Sequence, residues 1–437
     1  MALMPEVLRT NRNFRRLFLA DLTSSLGTGI STIAFPLLVL SITGNAVLAG
    51  SVATVSLATR LALRLPAGYL VDRWTPRTVM ILADAVRFAA LISVPVVAGL
   101  GGLGFLQLLA VAVVEGLATA LFGPAVTSLT RETAEGEQLT EALGLDQAVQ
   151  AVTSLLGPAV GGALYAVDRV LPFACDAATY AVSGLLLWGI RVRPPARAAT
   201  EPGDHKITAG MRWLFRQRIL FTIMLYAGAL NLAAAALDVM VVVVLQSHGV
   251  PGSRIGLTVA CAGAGAVLGS LLASRVVKAL SVPTLLLGIG TGWAAILGVF
   301  ALVYSPWLIA VLLVVLMTLS PAAGVAVGSA LFSRTPRHLV GRVSATVSLL
   351  LTGLAAIGPL AAGVLYAAFG ASGGWLCLAL LTAVVTAVAW KPLQAARGLA
   401  AVETPDSSVP AVAPPPVVPP PAEEVLAHGR DSAVRDG

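Results

Sequence analysis

Apolar runs of about two dozen residues return twelve times along this chain. They lie at about 17–40, 46–71, 78–100, 103–128, 140–167 and 171–190, and again at about 219–246, 254–277, 283–304, 306–332, 342–369 and 372–390. At about 1.5 Å of rise per residue, each is long enough to cross a hydrocarbon layer of about 30 Å as a helix. With 57% hydrophobic and only 11% charged residues, a water-soluble fold would lack the polar surface it needs. The runs are continuous and show no alternation of period two, which predicts helices and argues against a barrel. The expected fold class is therefore an all-α membrane protein with twelve transmembrane helices.

Lys and Arg set the expected orientation. Arg9, Arg12, Arg15 and Arg16 precede the first run, and Arg191, Arg193, Arg197, Lys206, Arg212, Arg216 and Arg218 crowd the connection between the sixth and seventh. Arg73, Arg77, Arg275, Lys278, Arg334, Arg337 and Arg342 fall in loops on the same side, against Arg169 and Arg254 on the other. The positive-inside rule then places both termini in the cytoplasm. The formal charge of +7 reads as a topology signal, and no nucleic-acid partner is expected. Twenty-five of the 28 basic residues are Arg, a bias that fits a GC-rich bacterial genome and hence a bacterial inner membrane. The basic start leads into a span too long for a cleavable leader.

Residues 157–166 read GPAVGGALYA and residues 358–367 read GPLAAGVLYA. The same offset of 201 aligns Gly123 with Gly324 and Ser128 with Ser329. The repeated stretch falls in the fifth and the eleventh span, so the twelve helices are read as two pseudo-symmetric bundles of six. The domain boundaries follow: an amino-terminal segment 1–16, a bundle 17–192, a central loop 193–218, a second bundle 219–391 and a tail 392–437. The tail contains VAPPPVVPPPAEE, an extended polyproline composition that predicts disorder and suits either a solvated end or a segment docking a protein partner.

These stretches resemble the major facilitator superfamily. GYLVDRWTPR, Gly68 to Arg77, is similar to its loop signature G-x-L-x-D-R-x-G-R-[RK], with Gly68, Leu70, Asp72, Arg73 and Arg77 fitting while Thr75 and Pro76 depart. GSLLASRVVK in the second half keeps Gly269, Leu271, Arg275 and Lys278 but has Ala273 in place of the acid. Gly157, Pro158, Gly161 and Gly162 match the span-five signature G-P-x-x-G-G, echoed by Gly358, Pro359 and Gly363. NRNFRRLFLADLTSSLG, FGPAVTSLTRE and LPFACDAATYAVSGLLL resemble the branch of macrolide-efflux and siderophore-export proteins. The resemblance implies a transporter fold, export of an amphipathic small molecule in exchange for protons, and an Asp72 latch onto the start of span eleven. A carboxylate at a helix N-terminus is worth roughly 0.3–1 kcal/mol, weak enough for a two-state device. A proton-linked importer, a uniporter and a non-transporting membrane sensor or scaffold remain as alternatives.

Charges inside the apolar spans carry most of the functional information, because each is costly unless paired or hydrated. They are Asp21 in span one, Arg60 and Arg64 in span two, Asp84 and Arg87 in span three, Glu115 in span four and Asp238 in span seven. Helix rise puts Glu115 and Arg60 at about 18 and 21 Å from the outer ends of their spans, one level. Asp21 and Arg64 fall at comparable depths too, so Glu115 and Asp21 read either as counter-ions that neutralise Arg60 and Arg64 or as proton-loading acids, while Asp84 can pair with Arg87 within its own helix. Glu115 stands where the superfamily's span-four signature R-x-x-Q-G has Gln, and Ala112 replaces its Arg. Asp21 and Glu115 are candidate proton carriers, and Asp238 is a candidate for proton coupling or cation recognition, with Asn231, two turns earlier, lining the same cavity as Asp238. No enzyme chemistry is expected: Cys175, Cys261 and Cys377 are spread among the apolar runs, and His205, His248, His338 and His428 form no ligand set. Neither a cofactor nor a metal is predicted. GAGAVLG at 263–269 lies inside an apolar run, which favours helix packing over nucleotide binding.

Overall fold

The computed structural model describes residues 5–134, 136–190, 207–336 and 339–402. Side chains at 65–73, 137, 207–210, 330, 332–334, 341 and 395–402 lie outside that description. Most of the central loop and the Pro-rich tail beyond 402 are also outside it. The described residues up to Arg397 belong to one compact unit, and residues 398–402 continue as helix.

A short α1 (Glu6–Thr10) leads into α2 (Arg12–Thr43), α3 (Ala46–Arg73), α4 (Pro76–Gly99), α5 (Phe105–Thr133), α6 (Glu137–Val167) and α7 (Leu171–Trp188). After α8 (Ile207–Arg216) come α9 (Arg218–Ser247), α10 (Gly252–Ala279), α11 (Val282–Phe300), α12 (Pro306–Arg334) and α13 (Val340–Val402). Ten of these, α2 to α7 and α9 to α12, have the length and hydropathy to cross a membrane once. α13 breaks at Gly370, whose φ of 69° leaves the helical region. A Cβ built on Gly374 would lie 3.6 Å from the carbonyl carbon of Leu365, whereas nine residues of straight helix would separate them by about 13 Å. The chain therefore reverses there, and α13 supplies two crossings. Twelve crossings result, as the apolar runs predict.

Local chemistry sets the ends. The Asn11 side chain caps α2 by accepting from the Phe14 amide at 2.9 Å, and Gly44 at φ 63° closes it. Asn45 accepts from Val47 and Leu48 at the start of α3. Thr75 and Pro76, the two departures from the loop signature, form the cap and first turn of α4, where a hydroxyl acceptor and a residue without N–H fit best. α8 occupies part of the connection read as loop. Its Leu214 is buried while Met211 and Phe215 are exposed, and Phe215 leans on Phe221 at 5.0 Å.

The repeated Gly-Pro stretches make equivalent contacts. In α6 a side chain at Gly157 would lie 2.7 Å from Cα of Gly29 on α2, and one at Gly162 would lie 2.7 Å from Cα of Gly256 on α10. In α13 a side chain at Gly358 would lie 2.8 Å from the Ala236 amide on α9, and one at Gly363 would lie 2.9 Å from Cα of Val47 on α3. The partners follow the same symmetry. A Cβ on Gly256 would strike the Pro158 carbonyl oxygen, and a Cβ on Gly50 would strike that of Pro359. Thus Gly157 and Gly358 hold the first and fifth helices of each bundle together, while Gly162 and Gly363 join one bundle to the other. Small residues allow this approach in a membrane, where van der Waals packing replaces the hydrophobic drive.

The seams α6–α10 and α3–α13 lie toward the face opposite the amino terminus. On that side α9 is buried without interruption from Val239 to Leu245. Gln246 Nε2 donates to the Leu37 carbonyl at 3.2 Å, and the Leu360 amide donates to Thr54 Oγ1 at 2.9 Å. The two bundles are sealed against each other at that face.

Candidate functional site

Four helices of the first bundle turn stripes of polar residues into one buried cluster. α2 contributes Ser24, Thr28 and Ser31, and α7 contributes Asp176, Tyr180 and Ser183, each set at i, i+4 and i+7 and so on one helix face. α4 adds Asp84 and Arg87, and α5 adds Glu115 and Thr119. Asp84, Arg87, Asp176 and Tyr180 are at most 2% exposed and Glu115 is 7% exposed.

Arg87 is the centre. Its Nη1 lies 3.9 Å from Asp84 Oδ1 and donates to Ser24 Oγ at 3.4 Å, while Nη2 donates to Thr119 Oγ1 at 2.8 Å. The guanidinium sits 5.0 Å from the Phe122 ring centre and 5.1 Å from that of Tyr180, within cation–π range. Ser183 donates to Asp84 Oδ2 at 2.6 Å, Ser31 donates to Asp176 Oδ2, and the Tyr180 hydroxyl donates to Glu115 Oε2 at 3.4 Å. Thr28 and Tyr180 share a hydrogen bond of 2.9 Å. Gly27 makes room: a Cβ there would overlap the Asp176 carboxylate.

Among the described residues Asp84 is the acid within ion-pair distance of this guanidinium, while the carboxyls of Glu115 and Asp176, held by Tyr180 and Ser31, lie near enough to feel its charge. One positive charge and three carboxyls make a neutral group only when two of the carboxyls carry protons. Excess charge in so buried a place is strongly unfavourable. Glu115 Oε1 accepts no hydrogen bond from the described residues.

The sequence-derived pairings fare differently. Asp84 and Arg87 meet within their helix. Glu115 does not pair with Arg60. α5 packs on α3 through Gly116, where a Cβ would lie 3.3 Å from the Arg60 amide, and one residue of helix turns Glu115 about 100° away, toward α7. Nor does Asp21 meet Arg64: Asp21 accepts from Ser25 at 3.4 Å, and Arg64 donates to Thr352 Oγ1 on α13 at 3.2 Å. Asn231 and Asp238 sit seven residues apart on one exposed face of α9, and Asn231 donates to the Ala227 carbonyl. Asp176 is missing from the sequence-derived candidates, although an acid inside the run 171–190 is signal enough. Its hydroxyl partner on α2, Ser31, is not legible in the sequence.

Of the loop signature, the side chains of Gly68, Asp72 and Arg73 lie outside the described residues. Arg77 is described: its Nε donates to the Leu187 carbonyl at 3.0 Å and its Nη2 to that of Trp188 at 2.5 Å. Arg16 donates to the next carbonyl, Gly189. Two cations thus cap the C-terminal end of α7, where the helix dipole favours them. A cavity of about 760 Å³ opens at the opposite face beside Tyr165, Asp168, Arg169 and Gly252, away from the buried acids. Among the described residues no group of His, Cys, Asp and Glu is arranged to hold a metal ion.

The family model described as transmembrane secretion effector matches residues 7–416. The multidrug efflux pump Tap of Mycobacterium tuberculosis (strain ATCC 25618 / H37Rv) is 30% identical over 388 residues, covering 83% of this chain and 88% of that one. The enterobactin exporter EntS of Citrobacter koseri is 24% identical over 340 residues, covering 77% and 81%. Among solved structures, a bacterial homologue of the iron transporter ferroportin superposes with a TM-score of 0.70 at 16% identity, covering 88% of this chain and 100% of that one. The nucleoside transporter NupG gives 0.70 at 12% identity, covering 87% and 99%. These last two likenesses speak to the fold alone. With the family model spanning all twelve crossings, the chain belongs to the transmembrane secretion effector family of major facilitator superfamily transporters, and it is a multi-pass membrane transporter of small molecules.

Proposed function

We propose that this transporter exports an amphipathic small molecule from a bacterial cytoplasm in exchange for protons. The observation that carries the reading is the buried Arg87 cluster, which offers three carboxyls to one guanidinium and so has room for protons that access from alternate sides can load and release. The exporter names of the relatives and the span-five signature favour the outward direction. The amino-terminal face is read as cytoplasmic, since Arg9, Arg12, Arg15, Arg16, Arg212, Arg216 and Arg218 gather there. The domain boundaries at 17–192 and 219–391 describe two bodies that rock about the α6–α10 and α3–α13 seams, with Asp72 as a latch between them.

Everted vesicles test it. Respiration acidifies their lumen, and a drug entering by exchange should let protons out and restore quenched acridine orange fluorescence. Uptake that continues unchanged after nigericin collapses the pH gradient would overturn proton exchange, and accumulation only in right-side-out vesicles would reverse the direction.

A further inference from the structure

Arg60 and Arg64 lie one turn apart on the same face of α3, and the acids expected to neutralise them are engaged elsewhere. Glu115 faces Tyr180 and Asp21 faces Ser25. Arg60 is exposed and makes no hydrogen bond or ion pair among the described residues, and the charges acting on it are both positive, those of Arg64 and Arg87. Arg64 is exposed too, with Thr352 as its hydroxyl contact.

This face does not look out to lipid. Arg64 reaches Thr352 of α13, and a Cβ on Gly353 would sit 3.5 Å from Leu61 Cδ2, so the stretch 60–64 looks onto the other bundle. Arg60 is fourteen residues below Ala46, about 21 Å from the far end of α3 and deep within the membrane. Arginine at such depth is retained beside a partner or a hydrated pathway and marks a site where charge is handled. Arg87 has carboxyls of its own, whereas these two point positive charge into the space between the bundles, where cargo passes in a rocking transporter.

We propose that Arg60 and Arg64 form the anion-recognising part of the cargo site, so that the cargo is an amphipathic molecule bearing a carboxylate or sulfonate. The inference deepens the exporter reading and rests on it for the word cargo. A guanidinium presents paired donors that match such a group, and two of them one turn apart can hold it from both sides.

The test is equilibrium binding to the purified full-length protein in detergent, with no gradient imposed. The probes are fusidate, an amphipathic carboxylate, its uncharged methyl ester, and the cation ethidium. Fusidate should bind about tenfold more tightly than its ester, the weight of one charge-assisted contact. Arg60→Gln and Arg64→Gln should each remove that advantage, leave the ester's affinity alone and keep the melting temperature, while Arg60→Lys should retain part of it. Equal binding of acid and ester, binding of ethidium but not of fusidate, or binding of none of the three would overturn the proposal. So would a melting temperature lowered by Arg60→Gln, which would make Arg60 a structural counter-ion. Because no gradient is used, failure of proton exchange or a reversed direction in vesicles would sink the proton-exchanging exporter reading while leaving this result standing.

Discussion

Arg87 and its acids show what spacing can reveal and what it cannot. Two residues three apart in a helix share a face, so the Asp84–Arg87 pair is legible in the sequence alone. Glu115 is legible as a buried acid, but its partner depends on how α5 is rotated, and that phase is set by Gly116 packing against the backbone of α3. A depth estimate carries no information about rotation. The cluster makes a prediction at this scale. Arg87→Met leaves three carboxyls without their cation, and losing one partner of a buried pair typically costs about 3–5 kcal/mol. Expression and thermal stability in detergent should fall sharply. Asp176→Asn, by contrast, keeps an acceptor for Ser31 and removes an ionisable site. It should fold and bind drug while losing most of the drug-induced proton release in everted vesicles. Wild-type proton release from Asp176→Asn would move the proton to Glu115 or Asp84, and a stable Arg87→Met would deny the cluster its cation.

Glycine sets the closest contacts between helices. The duplicated Gly-Pro stretch is visible as a repeat, and its symmetric contacts follow from it: Gly157 and Gly358 within bundles, Gly162 and Gly363 between them. Which helices they touch is not visible, since a linear string does not say which distant segment comes to lie beside which. Pro158 removes an amide from its helix, leaving the Ser154 carbonyl without its usual donor, and Gly263 approaches that carbonyl closely. α10 thus packs closely along the turn that Pro158 interrupts, at Gly263 as at Gly256. Gly256→Ala should wedge the α6–α10 seam apart, at about 1–3 kcal/mol for an overpacked contact. The matched control is Gly123→Ala, since a Cβ there meets nothing within 4 Å. We expect Gly256→Ala to slow transport and raise maleimide labelling of a cysteine at 252, with Gly123→Ala close to the parent on both measures. Equal behaviour of the two variants would mean that the seam has slack.

At the scale of the whole molecule, transport requires that the seal opposite the amino terminus open and close. Covalent linkage across it should therefore stop turnover, while linkage inside one bundle should not. Tyr165 on α6 and Gly252 on α10 suit the first purpose, because a Cβ on Gly252 would lie 2.8 Å from Tyr165 Cδ1. Ser93 on α4 and Gln107 on α5 suit the second, with Gln107 Nε2 donating to Ser93 Oγ at 3.2 Å within the first bundle. Both cysteine pairs would be placed in a background with Cys175, Cys261 and Cys377 replaced by serine. Oxidation of the 165–252 pair should abolish drug uptake by everted vesicles, and reduction should restore it. Oxidation of the 93–107 pair should leave uptake near its starting rate, since α4 and α5 move as one body. Binding of cargo should survive in both, because a closed far face does not occupy the space beside Arg60 and Arg64. Unimpaired uptake with the 165–252 pair fully cross-linked would show that the α6–α10 seam stays shut during turnover, and the rocking axis would then have to lie elsewhere.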